Sequence, residues 1–455
     1  MLPRKLNPFA GLPNPREVFA WGLYDLANQS FTLLIITLLF PIYFREVVVA
    51  DAAKGESIWS AIGSASLLVV VVVSPLLGAL ADGYGLKKRL LVGTGYLCAA
   101  LTVALTLTGE GDVWLAAGLF IVANVLYQIG ENFLASFLPE VSTPRNVGRV
   151  SATGWTMGYL GALSLLVLVA AGMFGYQAIT GEELALTDWW VFFAFAGVWF
   201  ALGILTPSVV LKEASASDRE AREHGPIRVA FERVADTLRH AAHYRQLIRF
   251  LTAFFVYGCG INVMVYFAGL LAQDFGFEQV ELVIFVLQLS VTAGIAAACT
   301  AFIQDRLGAR TTVLLYLSLW IVASLGLLAI ALLGEDGRRP WMFWTVGNFI
   351  GFALGGAGAA SRAFVGRFTP AHRTGEFFGL WGMTYKLSGV VGVLAFGQVK
   401  AFAGDIAANA LLLAIFIAGL ALLLRVSETA GLCAKRRAER AFAAARSASK
   451  ANPRT

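Results

Sequence analysis

The chain is short of charge. Only 14% of its 455 residues are Asp, Glu, Lys or Arg, against about 25% in an ordinary soluble protein. It has four cysteines, Cys98, Cys259, Cys299 and Cys433, without the paired spacing of a disulfide framework. Its four histidines (His224, His240, His243, His372) all fall in connections on one side of a membrane, as read below, which argues against an intramembrane enzyme. No metal-ligand cluster, nucleotide loop or nucleophile triad stands out, so no cofactor is expected. The basic start "MLPRKLNPFAGLPNPRE" runs into a long apolar stretch with no small-residue cleavage site, and no cleavable signal peptide is read there.

Apolar residues fill the deficit. The chain is 58% hydrophobic, its mean hydropathy is +0.71, and runs such as "LLVVVVVSPLLGAL" (67–80) and "LLLAIFIAGLALLL" (411–424) sit in windows long enough for a helix of about 20 residues to cross a bilayer. The fold class is therefore all-α integral membrane. Twelve spans are expected, at 17–43, 57–81, 88–108, 113–138, 150–175, 189–211, 247–272, 281–303, 311–333, 341–365, 376–399 and 406–425. The net charge of +6 is spread between spans and not gathered on a basic face, so no nucleic-acid partner is implied. Of the 35 lysines and arginines, only Arg45, Lys54, Arg338, Arg339 and Lys400 fall on one side, Lys386 lies within a span, and the rest fall on the other. The positive-inside rule then puts both termini in the cytoplasm. A bacterial inner membrane is the expected location.

Connection 212–246 splits the spans six and six. This gives an N-terminal half (1–211), a linker, a C-terminal half (247–425) and a basic tail (426–455). Within the linker, Ile227, Phe231, Val234 and Leu238 fall at helical spacing among Arg228, Arg233 and Arg239, a pattern for an amphipathic helix on the membrane surface. The halves also repeat. Asp82, Gly85 and Lys87 match Asp305, Gly308 and Arg310 at one offset of 223, and Gly154 and Gly161 match Gly382 and Gly389 at 228. Parallel six-helix repeats suit a transporter whose halves rock around a central site. In the loop "LADGYGLKKR" the glycines permit a tight turn. Asp82 can face the positive end of another helix, span eleven offering one, while Lys87, Lys88 and Arg89 can anchor at headgroups. The repeated loop is read as an inner gate: Asp82, Gly85, Lys87, Asp305, Gly308 and Arg310.

The polar residues inside spans carry the functional reading. A charge near the bilayer centre costs at least about 2.5–3.5 kcal/mol and usually faces the bundle interior. Asp25, Asn28, Gln29 and Thr32 share one helical stripe; Gln128, Glu131, Asn132 and Ser136 share another; span eleven brings Trp381, Tyr385, Lys386 and Ser388. At 1.5 Å per residue, Asp25 lies roughly 12 Å, Glu131 roughly 10–11 Å and Lys386 roughly 15 Å from the inner side. The solute or proton pathway is therefore expected at Asp25, Asn28, Gln29, Glu131, Asn132, Tyr385 and Lys386, with Lys386 pairing with Asp25 or Glu131 in one state. A permanent structural pair between helices is the alternative. Gly154, Gly158 and Gly161 suit close helix packing; Asn262 and Asn348 suit packing hydrogen bonds or ligand contacts.

The Asp-x-x-Gly-x-base loop, its repeat and the twelve spans resemble the major facilitator superfamily, where this loop latches the inner gate. Gly83 departs from that pattern, where an Arg commonly follows the Asp; Arg306 keeps it. More finely, Trp21, Tyr24, Asp25, Ala27 and Asn28, "FPIYF" (40–44), Leu138-Pro139, "GWTMGYLG" (154–161), Ser361-Arg362, Pro370, "EFFGL" (376–380) and Lys386 resemble the vacuole-effluxer family of autophagy-type permeases. The chain departs from that family at Leu134-Ala135, where Tyr-Asn is usual, and at Gly358, where Gln is usual. The leading reading is a secondary transporter, a monomer, for a small polar solute, coupled to protons or running as a uniporter; the family resemblance implies amino acids or related metabolites. The competing readings are a receptor or scaffold on the same fold and a carrier of amphipathic drugs or lipids. Two matched gate loops argue against a static scaffold, and the polar spans argue against a greasy cargo.

Overall fold

A backbone in hydrocarbon must hydrogen-bond to itself, so long apolar runs become helices. The computed structural model describes residues 14–142, 147–213, 244–370 and 374–451, with Glu232 and Arg239 besides. The expected amphipathic helix at 227–238 lies outside these, as do the side chains of Asp82 and Asp305. Among the described residues all regular elements are helical. In chain order they are α1 (Pro15–Val48), α2 (Ala52–Tyr84), α3 (Lys87–Ala104), α4 (Val113–Ser136), α5 (Val147–Thr180), α6 (Trp190–Val210), α7 (Arg245–Asp274), α8 (Gln279–Leu307), α9 (Ala309–Leu332) and α10 (Pro340–Phe368). A long helix, Thr374–Leu424, and a last one, Glu428–Ala451, follow.

Among the described residues, eleven continuous segments are long and apolar enough to cross a membrane. The eleventh, Phe377–Leu423, has 47 residues and would reach about 70 Å if straight, over twice a hydrocarbon core of about 30 Å. It breaks at Gly404, whose φ of 78° is a left-handed conformation that favours glycine. The two arms, α11 (374–403) and α12 (405–424), fold back on each other. Ser388 and Gly392 on the first arm meet Gly258 and Cys259 of α7, while Phe416 and Gly419 on the second meet Gly260 and Tyr257 of that same turn. Twelve crossings result, as the hydropathy predicts. The final helix, Glu428–Ala451, becomes α13.

The first helix of each half is the most enclosed. In α1 and α7, 78% and 83% of the apolar window is buried, against at most 50% in the other helices, so these two line the bundle axis. Helix α1 is not regular: Phe31–Leu38 and Phe44–Val48 are π-helical. π-turns add a residue to the turn and occur often at functional sites. The halves meet where glycines let backbones touch. Gly269 of α7 lies on Thr37 and Leu38 of that π-helical stretch, Gly397 of α11 on Ser60 of α2, and Gly294 of α8 faces Tyr159 of α5.

The expected tight turns sit at the end of the bundle that carries the chain termini, the termini end; the opposite face is the far end. Gly85 and Gly308 hold φ of 64° and 84°, which is why glycine stands at both repeats. Each turn also has a partner that the repeat did not reveal. Glu213, just past α6, accepts the backbone N–H groups of Lys87 (2.7 Å) and Lys88 (3.0 Å) at the start of α3. Glu428, just past α12, accepts the Arg310 N–H at the start of α9 (2.9 Å) and binds the Arg367 guanidinium. A carboxylate at a helix N-terminus satisfies orphan donors and complements the macrodipole. Lys87, expected at the headgroups, reaches Glu140 instead (3.3 Å). Glu213→Ala and Glu428→Ala are each expected to lower the thermal unfolding midpoint in detergent, reflecting about 0.5–2 kcal/mol of lost capping; unchanged midpoints in both would show the caps to be idle.

Candidate functional site

Helix α1 is bound to α4 along its polar stripe. The Trp21 indole donates to the Leu134 carbonyl (2.8 Å), the Asn28 amide to a Glu131 carboxylate oxygen, and the Thr32 hydroxyl to the Tyr127 hydroxyl (2.6 Å). Trp21, Asn28 and Thr32, seven and four residues apart along α1, thus reach Leu134, Glu131 and Tyr127, three and four apart along α4, the spacing of residues that share one helix face. Gln29 donates to the Asn28 side-chain oxygen (3.2 Å) and to the Asp25 backbone carbonyl (3.4 Å). The Asp25 carboxylate lies on Gly158 of α5, whose missing side chain makes the room: a Cβ there would stand 3.1 Å from Oδ2.

Lys386 comes to this cluster from the other half. Its Nζ donates to the Gln128 backbone oxygen and to Oε1, both at 3.4 Å. Gln128 lies one turn before Glu131 on α4, so the ammonium stands beside the carboxylate without pairing with it; among the described residues no carboxylate reaches it at ion-pair distance. Tyr385, next in sequence, turns away. Its ring stacks on Phe254 of α7 at 6.0 Å between centroids, and its carbonyl accepts from Asn262 (3.3 Å). Trp381, one turn earlier on α11, stacks on the same Phe254 ring at 5.5 Å between centroids. Both aromatic residues precede Lys386 along α11, toward the termini end.

The structure thus gathers Asp25, Asn28, Gln29, Glu131 and Lys386, with Tyr385 at their edge. Asn132 stands apart, donating to Ser74 of α2 (2.8 Å). It lines a groove of about 410 Å³ with Ser74, Leu77, Ala81, Lys87 and Ser136, between the central cluster and the termini end. The glycines of α5 pack as expected, Gly154 against the Trp21 ring and Gly161 against the Leu26 backbone. Asn262 bonds its own helix and α11, a packing contact, whereas Asn348 is exposed and bonds only its own helix. No group of three or more His, Cys, Asp or Glu able to hold a metal occurs among the described residues.

One cluster escaped the sequence reading. At the far end, Arg45, Glu56, Asp274 and Lys400 come together from α1, α2, α7 and α11. Arg45 and Lys400 were expected as ordinary flanking charges. No sequence signal pointed to it: with expected spans ending at 43, 272 and 399 and beginning at 57, all four read as charges just outside a span, where charge is free to hydrate.

Several known proteins resemble this chain over most of its length. An uncharacterised MFS-type transporter, YxiO, of Bacillus subtilis is 24% identical over 90% of this chain and 94% of its own. Autophagy-related protein 22 of Eremothecium gossypii is 21% identical over 84% of this chain and 85% of its own. The solved D-xylose-proton symporter superposes with a TM-score of 0.69 at 13% identity, covering 91% of this chain and 98% of the other, which shows the shared transporter fold. The family model for vacuole effluxer Atg22-like proteins matches residues 52–147 and 142–435, and to that family of transporters the chain belongs.

Proposed function

We propose that the chain moves a small polar solute by alternating access, with amino acids as the solute class and protons as the coupling ion. The observation that carries this reading is the mid-depth meeting of α1, α4 and α11, where carboxylates and amides of one half face Lys386 of the other. A zwitterion fits such a site, its carboxylate on Lys386 and its ammonium at Asp25. Intramembrane ionisable groups facing a bundle interior mark pathways of this kind. The carriers rock as two halves, 1–211 and 247–425, joined by 212–246, and one chain forms the working unit. The loops at 82–87 and 305–310 latch the termini end, through Asp82, Gly85, Lys87, Asp305, Gly308 and Arg310. Purified protein in proteoliposomes, offered a panel of labelled amino acids with and without a pH gradient, tests this directly. Saturable uptake supports it, whereas no saturable flux across the panel would favour a receptor on the same fold.

The charge asymmetry supports the further reading that the termini and the linker are cytoplasmic, with the chain in a bacterial inner membrane. With Cys299 and Cys433 replaced by serine, Asp336→Cys should react with a membrane-impermeant maleimide added to intact cells, and Glu220→Cys should not. The reverse pattern would invert the topology.

A further inference from the structure

The four charges at the far end form a closed ring. Arg45 Nη1 lies 2.9 Å from Glu56 Oε1 and 2.6 Å from Asp274 Oδ1. Lys400 Nζ lies 3.2 Å from Glu56 Oε1 and 2.8 Å from Asp274 Oδ2. Each base therefore touches both acids, and each acid both bases. The side chains of Arg45, Glu56 and Lys400 are 4–6% exposed and that of Asp274 17%, so water does little to weaken these pairs. Glu46 and Gln273 hold the rest of the Arg45 guanidinium, and Asp405 the outer side of Lys400.

The decisive feature is who contributes what. Arg45 and Glu56 belong to the first half, Asp274 and Lys400 to the second, so each half brings one base and one acid. We infer that this ring is the far-end gate of the transport cycle, closed in this structure, and that it opens along its two cross-half pairs, Arg45–Asp274 and Lys400–Glu56. The inference rests on the alternating-access reading. A buried ion stripped of its partner is strongly unfavourable. Here no base is stripped: when the halves part, Arg45 keeps Glu56 and Glu46, and Lys400 keeps Asp274 and Asp405. Closing adds two attractive contacts across the interface at the cost of two diagonal repulsions, Arg45 against Lys400 and Glu56 against Asp274. The net hold is moderate, which a gate that must reopen every cycle requires.

The arrangement makes two opposite predictions from the same four charges. Exchanging charges within one half (Arg45→Glu with Glu56→Arg) keeps a neutral pair in each half, but both adjacent cross-half contacts become repulsive, so the gate should open. Exchanging charges between halves (Glu56→Lys with Lys400→Glu) makes all four cross-half contacts attractive, so the gate should lock. Spin labels at Glu110→Cys and Asp336→Cys, with Cys299 and Cys433 replaced by serine, report the far-end distance in reconstituted protein without any solute. The within-half exchange should produce a longer-distance population larger than in the native sequence. The between-half exchange should reduce or abolish that population and slow solute flux several-fold. Lys400→Arg, which keeps charge and place, should resemble the native protein and guards against loss of folding. Identical distance distributions in both exchanges, in folded protein, would overturn the gate and leave a static clamp. Because the distances need no solute, failure of the gate is told apart from failure of the transport reading, which shows in flux alone.

Discussion

Glu131→Gln is expected to fold and to lose most of its transport. The substitution keeps the shape of the side chain and an oxygen for the Asn28 amide, while removing the charge. Around it, the Trp21–Leu134 and Thr32–Tyr127 hydrogen bonds still hold α1 to α4. The helix pair therefore survives, and folded yield should stay close to native. What is lost is the charged component of the site. A hydrogen bond to a charged group contributes about 1.5–3 kcal/mol, and about 1.4 kcal/mol is a factor of ten, so uptake should drop at least about tenfold. Lys386→Gln is expected to do the same from the opposite half, because Gln128 offers only oxygen acceptors to its ammonium. Asp25→Asn should follow, with its packing on Gly158 intact. The measurement is initial uptake set against the yield of monodisperse protein. If all three variants transport normally, the site is misplaced. If uptake falls only in proportion to yield, these charges are structural ties between helices.

How far these positions could be read in advance depends on the range of the contact. The α1 and α4 stripes are local: residues three and four apart share a helix face, and a polar stripe in an apolar helix is costly enough to stand out. That is why Asp25, Asn28 and Glu131 were legible, and why the depth estimate already put Lys386 in their band. The specific partner was not. Lys386 meets Gln128, a residue 258 positions away, and nothing in either neighbourhood chooses it over Glu131. The far-end ring shows the same limit, for Arg45 and Asp274 are 229 positions apart and each looks like a flanking charge until the halves are placed. The twelve crossings were legible from hydropathy, yet their ends were not: α1 runs on through two π-helical stretches to Val48, where the pattern ended it at residue 43. Glu213 and Glu428 were hidden for another reason. They cap α3 and α9 from beyond the sixth and twelfth spans, and acids following a span ordinarily read as solvated.

The largest structural effects should come from two glycines that carry the same clash in different places. Gly161 of α5 lies on the Leu26 backbone of α1; a Cβ there would be 2.8 Å from Leu26 Cα and closer still to its carbonyl oxygen. Gly269 of α7 lies on the Thr37 and Leu38 carbonyls of α1, with a Cβ 2.9 Å from the second. In both cases the obstacle is backbone, which cannot rotate away as a side chain would. The consequences should nevertheless diverge. Helices α1 and α5 belong to one half, and α1 is fixed there by Trp21, Asn28, Ser30 and Thr32, whose side chains bond α4 and α6. Gly161→Val cannot be relieved without undoing that packing, and overpacking of this sort costs about 1–3 kcal/mol or more. Folded yield and unfolding midpoint should both fall. Helices α1 and α7 belong to different halves, and the contact between them breaks in any cycle that opens the far end. Gly269→Val can be relieved by the halves moving apart as rigid bodies, so its midpoint should fall less, while the far-end distance lengthens and the ring around Arg45 loosens. The two variants, compared for midpoint and for the distance between spin labels at Glu110→Cys and Asp336→Cys, separate a contact that builds a half from one that closes the gate. Equal losses of midpoint with no longer-distance population in Gly269→Val would mean that the halves do not part at this crossing.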